Sequence, residues 1–305
     1  MLEIVFLGTG AGIPTKHRNH AAIWLSYTKD ISSVMLWDCG EGTQRQIFTA
    51  RLNFMRINDI FITHWHADHW AGLIGLIQTM NLEKRRHPLF IYAPEAERFV
   101  SDILDLGYWG PGFKVIPKDV PAEGDKITKL IETKYYEIYS TPVRHSVPAV
   151  AYCFKEKDTW KVDIKEAEKK FGLKQGPLVG KLKSKGEVEL KGKKIRLEDV
   201  GRLHRGIKVV YSGDTRYCET LVNLAKDADV LIHDATFLEE EDTKMHSAPE
   251  DALRAAKKAN AKQLVLTHFS RRYQSLKGFE DKAKKLFPNT ITAKDFMRIQ
   301  LKSKE

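Results

Sequence analysis

At 305 residues, 42% hydrophobic and 30% charged, the chain has ample sequence for a substantial core and reads as a soluble globular protein of one large domain or two ordinary ones. No apolar run approaches the roughly 20 residues of a membrane span, the N-terminus lacks the basic segment of a secretory signal, and Cys39, Cys153 and Cys218 stand in no C-x-x-C arrangement. These features exclude a membrane partner and a disulfide scaffold and point to a reducing, cytoplasmic setting with buried thiols. A formal charge of +10 and a pI near 9.3 invite a polyanionic partner, although 34 lysines against 16 arginines, interspersed with glutamate, also fit a heat-adapted surface.

In chain order, residues 2 to 7 alternate as a first strand and run into Gly8-Thr9-Gly10-Ala11-Gly12-Ile13-Pro14. This is no dinucleotide-binding turn. The third glycine of G-x-G-x-x-G would fall on Ile13, and a second strand, His20 to Tyr27, follows in place of a helix. The loop, with Lys16 and Arg18 at its end, instead suits a backbone phosphate. A strand at 34 to 38 ends in Asp38, which either accepts a hydrogen bond from a ligand imidazole or caps the helix expected at 44 to 51. A strand over 57 to 63 delivers Thr63-His64-Trp65-His66-Ala67-Asp68-His69-Trp70, after which Leu73, Ile74, Ile77 and Met80 recur at helical spacing.

Further on, a strand at 89 to 92 precedes a helix opened by Pro94 with Glu95 and Glu97 in its first turn, and a Gly/Pro turn at 107 to 112. Short strands follow through 113 to 153. Residues 155 to 198 change character: 14 basic residues face 8 acidic ones, and apolar periodicity is thin. A short helix at 163 to 171, a break at Gly176-Pro177 and hairpin-like segments around Gly186 and Gly192 suggest a protruding basic arm. Order returns with a strand at 206 to 211 ending in Ser212-Gly213-Asp214-Thr215 and a helix at 221 to 226. A strand at 229 to 233 then leads into Asp234-Ala235-Thr236-Phe237. An acidic loop at 239 to 242 comes before His246-Ser247, with Ser247 placed to cap a helix reaching Lys258. A strand at 263 to 267 delivers His268, and a helix at 276 to 286 and a strand at 296 to 301 close the chain.

Three imidazoles and a carboxylate in six residues call for metal. His64 and His66 lie on one side of an extended segment, while Asp68 and His69, at the turn into a helix, can face a second ion. Other strand ends offer His145, Asp214 and His268, which makes seven candidate donors. Their order, H-x-H-x-D-H, H, D, H, resembles the metallo-β-lactamase superfamily, and further motifs resemble its ribonuclease Z branch over nearly the whole chain. These are Phe6-Leu7-Gly8-Thr9-Gly10, the P-x-K-x-R-N loop from Pro14 to Asn19, Asp38 to Gln44, Ser212 to Thr215, His233 to Phe237, His246-Ser247 and Leu266 to Ser270. Gly176-Pro177-Leu178 and Gly180-Lys181-Leu182 look like that family's arm.

The resemblance implies an α+β protein, a metallo-β-lactamase-like αβ/βα four-layer sandwich with a protruding basic arm, and two zinc ions. His64, His66 and His145 would hold one, Asp68, His69 and His268 the other, with Asp214 bridging. It implies an endoribonuclease that trims the 3′ trailer of precursor tRNA, acting as a homodimer, with Asp68 as general base. His246 is the expected proton donor, positioned or tuned by His233 and Asp234. Lys16, Arg18, Arg271 and Arg272 are expected to meet phosphates near the site, and Gly176, Pro177 and Lys181 to meet tRNA on the arm. Two departures stand out: the family's H-E-A-T-F reads His233-Asp234-Ala235-Thr236-Phe237, and its H-S-T reads His246-Ser247-Ala248. Two alternatives stay open, a superfamily hydrolase of small phosphodiesters or sulfate esters, and a zinc-stabilised RNA-binding protein without catalysis.

Overall fold

The first strand shows how the body is organised. Along Leu2–Gly8, Leu2, Ile4 and Phe6 enter one apolar cluster while Val5 and Leu7 enter another, and all five are fully buried. A strand buried on both faces lies inside a layered stack. The structure, a computed structural model, describes residues 1–29, 33–106, 110–239 and 245–302, and its contacts form two compact units.

In the first unit, Met1–Lys155 with Ile207–Leu301, two seven-stranded sheets pack face to face. One runs Arg298–Leu301, Leu2–Gly8, Ala22–Tyr27, Val34–Trp37, Ile57–Phe61, Leu89–Ala93, Val115–Asp119. Its pairings are antiparallel up to Val34–Trp37 and parallel beyond. The other runs Thr290–Thr292, Leu264–Thr267, Val230–Asp234, Lys208–Tyr211, Val150–Glu156, Tyr136–Pro142, Thr128–Glu132. Between the sheets, Trp37 stacks on Tyr211 at 5.9 Å and Phe61 meets Tyr152 at 5.2 Å. Helices Thr43–Thr49, Leu73–Leu82 and Ala96–Leu104 cover the outside of the first sheet, and Glu219–Leu224, Pro249–Lys258 and Lys277–Leu286 cover the second. This is the four-layer αβ/βα sandwich expected.

Parallel strands in such a sheet send their C-terminal ends to one edge, where connecting loops collect functional groups. Ile57–Phe61 delivers Thr63 to His69 there, and Lys208–Tyr211, Val230–Asp234 and Leu264–Thr267 deliver Asp214, Asp234 and His268. Close approach tightens the arrangement: a Cβ on Gly40 would lie 2.2 Å from the Asp68 carbonyl oxygen, so only glycine lets that loop pass the metal turn.

The second unit, built on Glu156–Gly206, has its own core. Ala167, Leu173, Val179, Leu182, Ile195, Leu197 and Val200 are buried together, so the insertion is a folded module despite its thin periodicity. It runs past 198 because Gly201–His204 pairs antiparallel with Thr159–Val162. The break expected at Gly176-Pro177 is instead the start of a helix, Pro177–Lys185, with proline in its first turn, where its missing N–H costs nothing.

Other boundaries differ by a few residues. Glu95 precedes the helix Ala96–Leu104 in a left-handed conformation, so Glu97 alone is acidic in its first turn. Ser247 does not cap the following helix: Ala248 holds that position, and the Ser247 hydroxyl donates to the Thr215 carbonyl. All three cysteines are buried and free. Part of the Gly/Pro turn (107 to 109) and of the acidic loop (240 to 242) lies outside the described residues. No helix among the described residues is long and apolar enough to cross a membrane.

Candidate metal centre

The seven candidate donors converge. His64 Nε2 and His145 Nε2 each lie 3.0 Å from His66 Nδ1, which defines one cluster. In a second, His69 Nε2 is 3.2 Å from His268 Nε2, and Asp68 Oδ2 is 3.3 Å from the latter. Asp214 sits between them, its Oδ2 3.8 Å from His64 Nε2 and 3.3 Å from His69 Nε2. Four strand-end segments from two sheets supply these atoms, which is why no single sequence window contains them.

Electrostatics shows what charge the cluster suits. Burial, reinforced by the His69 ring, holds His64 well below the usual imidazole range, and burial also lowers His66 and His145. Burial disfavours charge on His69 and His268 too, but Asp214 and neighbouring carboxylates outweigh it, raising His69 well above its usual value and His268 to about 10. Positive charge is thus demanded at the carboxylate-rich side, while neutral nitrogens with free lone pairs face each other on the imidazole side. The Oδ1 atom of Asp214 is buried without a hydrogen-bond partner. Divalent ions fit both conditions, and nitrogen and oxygen donors without thiolates suit a hydrolytic centre more than a closed structural one.

Asp38, left open between two roles, takes the first: its Oδ2 accepts from His69 Nδ1 at 2.7 Å and from the Tyr211 hydroxyl at 2.8 Å. The helix at Thr43 has no side-chain cap. Two residues of the centre carry backbone strain, Asp38 at φ 56° and His268 at φ 62°, both in the left-handed region that side chains avoid.

Beside the donors lies a cavity of about 350 Å³ lined by Ala11, Gly12, Ile13, Phe237, Ser270, Arg271 and Arg272 together with His66, Asp68, Asp214, Thr236, His246 and His268. His246 Nδ1 is 3.2 Å from Asp234 Oδ2 and 3.6 Å from Asp214 Oδ2. Burial disfavours its charged form, but Asp234 and Asp214 raise it above the ordinary imidazole value. His233, expected to act on this imidazole, is fully buried with Nδ1 2.8 Å from the Asp234 carbonyl oxygen. Side chains alternate along a strand, so the geometry that turns Asp234 toward His246 turns His233 away.

Of the expected phosphate contacts, Arg271 and Arg272 line the cavity, the latter with its guanidinium 5.0 Å from the Phe237 ring. Arg18 is 9% exposed and donates through Nη2 to the Tyr273 carbonyl at 2.6 Å, so it braces the 270 to 273 turn, and it is not among the residues lining this cavity. Lys16 is exposed on its turn and is not among the cavity residues. Gly176 caps the second unit's helix Pro177–Lys185, Pro177 opens it and Lys181 lies at its middle. Sequence reasoning missed Gly12 and Thr236 as parts of the centre, since neither a backbone amide nor a lone threonine carries a spacing signature.

Family models for a beta-lactamase superfamily domain and for the anti-Pycsar protein Apyc1 match residues 199–269 and 2–108. The Ribonuclease Z of Thermococcus gammatolerans is 44% identical over 100% of this chain and 96% of its own length. The chain belongs to the ribonuclease Z family. The Ribonuclease Z of Methanosarcina mazei is 38% identical, over 99% of this chain and 98% of its own. Among solved structures, human tRNase Z, short form, superimposes with a TM-score of 0.70 at 28% identity, covering 98% of each chain. A metallo-beta-lactamase fold protein from Bacillus subtilis, with a TM-score of 0.69 at 18% identity, shares the fold. The chain is thus a metallo-β-lactamase-fold member of an endoribonuclease family, and its His/Asp clusters could hold metal ions.

Proposed function

We propose that the protein is a zinc-dependent endoribonuclease that removes the 3′ trailer from precursor tRNA and leaves a 3′-hydroxyl on the tRNA. The observation that carries this reading is the convergence of seven donors beside an arginine-lined cavity, in a chain that matches a ribonuclease Z over 96% of that relative's length. His64, His66 and His145 would hold one zinc, Asp68, His69 and His268 a second, and Asp214 both. Bound there, such ions supply the charge that acidifies water and offsets the build-up on phosphate oxygens.

The chain's own groups supply the proton transfers. Asp68 accepts the proton of the attacking water, with its Oδ2 already held by the Gly12 N–H at 2.7 Å. His246 gives a proton to the departing ribose 3′ oxygen, and Asp234 holds its imidazole charged and oriented until then. Arg271 and Arg272 meet phosphates flanking the scissile one. The basic unit Glu156–Gly206 is the tRNA-binding arm, and the protein works as a homodimer. Incubating it with a precursor tRNA, with zinc and with a chelator, and mapping the ends tests the proposal. Zinc-dependent cleavage at the 3′ end of the tRNA body is expected; RNA that is bound but uncut overturns it.

A further inference from the structure

Two threonine hydroxyls, one from each sheet, sit where ligand imidazoles meet buried carboxylates. Thr236 Oγ1 lies 2.7 Å from Asp234 Oδ1, 2.8 Å from His268 Nδ1 and 3.2 Å from His246 Nδ1. Thr63 Oγ1 lies 3.0 Å from both Asp38 oxygens, 3.1 Å from His64 Nδ1 and 3.4 Å from His69 Nδ1. All four imidazoles and both carboxylates belong to the centre or brace it. Thr63, His64, His69 and Asp38 are fully buried, and Thr236 and His268 are 3% exposed, so water does not share these bonds.

A hydroxyl has one proton to give and lone pairs with which to accept. An ionised carboxylate only accepts, and hydrogen bonds to charge are the stronger ones. Each threonine therefore spends its proton on its aspartate and has only acceptor capacity left for the imidazoles. His268 must then present Nδ1–H to Thr236, and His64 must present Nδ1–H to Thr63. Their lone pairs fall on Nε2, the atom by which both face the donor clusters. With the opposite polarity, the hydroxyl donating to Nδ1, Nε2 would carry hydrogen and could not bind an ion.

We infer that Thr63 and Thr236 are positioning residues that select the metal-binding tautomers of His64 and His268, one threonine for each ion. The inference rests on the ligand sets proposed above. Each aspartate also holds a second ring directly, without the threonine, since Asp38 accepts from His69 and Asp234 faces His246. His145 reaches the same tautomer by another route, with Nδ1 on the Met245 carbonyl at 2.8 Å.

The test is zinc binding to the full chain, by titration against a competing chelator. Thr63→Val and Thr236→Val keep shape and remove the acceptor, and each should weaken one of two ions by roughly 10- to 100-fold, as loss of a ligand's supporting partner does. Thr63→Ser and Thr236→Ser should restore it. Combination with single-ligand variants identifies the ion: Thr63→Val should add no further loss to His145→Ala but leave neither ion tightly held with His268→Ala, and Thr236→Val should do the reverse. A general loss of fold would not sort by site in this way. If a valine variant does not fold, the alanine variant, which adds no bulk, is read by the same criteria. Wild-type affinity for both ions in the valine variants, or serine variants as impaired as valine ones, overturns the inference. A wild type binding fewer than two ions, or His145→Ala and His268→Ala that do not each lose one, refutes the ligand sets themselves.

Discussion

The backbone N–H of Gly12 donates to Asp68 Oδ2 at 2.7 Å, joining the glycine loop after the first strand to the carboxylate proposed as base. His20 holds the loop from behind, with Nε2 3.2 Å from the Gly12 carbonyl oxygen, and is 8% exposed. His20→Ala should therefore loosen Asp68 without removing a ligand. We expect kcat on precursor tRNA to fall about tenfold, as when a reacting group loses its orientation, with zinc content unchanged. Steady-state kinetics with metal analysis decides it: an unaltered kcat would show that the loop needs no support from His20.

His246 is close enough to Asp214, Asp234 and His268 to be mistaken for a ligand. As the proton donor, its replacement by alanine should cut turnover by roughly 10²- to 10⁴-fold, the usual worth of general acid catalysis, with two zinc ions retained. Loss of an ion from His246→Ala, read by metal analysis of the purified variant, would instead make it a ligand.

The second unit can be removed at a defined point. Lys155 and Lys208 are register partners on adjacent antiparallel strands, so a short glycine-containing turn can replace Glu156–Gly206. The shortened chain should still hydrolyse a small phosphodiester, while cleavage of precursor tRNA collapses and loses its salt dependence. Equal loss on both substrates would mean that the unit supports the body and not the RNA.

Asp59 provides a pH prediction outside the centre. Burial pushes its carboxyl up to about 6, against the opposing pull of Arg85. A carboxyl raised in the folded state favours folding most when protonated, so its contribution is complete below about pH 4 and is lost as pH rises through 6. At pH 7.5 the ionised group costs on the order of 3 kcal/mol. Asp59→Asn should be more stable than wild type at pH 7.5 and lose that advantage near pH 4. Arg85 stays anchored, because it donates to the carbonyls of Met55, His87 and Pro88. Urea unfolding of both proteins across this range checks the sign; an advantage independent of pH would rule out titration of Asp59 as its cause.

Much of the centre could be read from the chain because metal chemistry narrows the choice of residue. Few side chains other than imidazole and carboxylate serve, and His64 to His69 concentrates four of them where a buried strand meets a helix. Other strand ends offered His145, Asp214 and His268, their order gave the resemblance, and these groups do converge. The strand over 2 to 7 was legible as a strand, but its reading as alternating was not met: apart from Glu3 it is buried on both faces, because both faces are covered. The arm's fold was not, because its small core draws residues from distant turns such as Ala167, Val179, Ile195 and Val200, which form no stripe along the chain.

What sequence determined by itself was the inventory: which groups are candidate metal donors, which segments form strands, and where charge accumulates. Tertiary structure decided their partners. Asp38 serves His69 and not a helix because Val34–Trp37 and Ile57–Phe61 are neighbours in one sheet. Arg18 turns inward because the 270 to 273 carbonyls lie beside it, and His233 faces away because strand alternation gives that side to Asp234. The roles of Gly12, Thr63 and Thr236 depend on hydrogen bonds a few ångströms long, which bring together segments distant in the chain, such as Gly12 with Asp68, Thr63 with Asp38 and Thr236 with His268. Such bonds form only once neighbouring strand ends have come together, so nothing in local spacing could announce them.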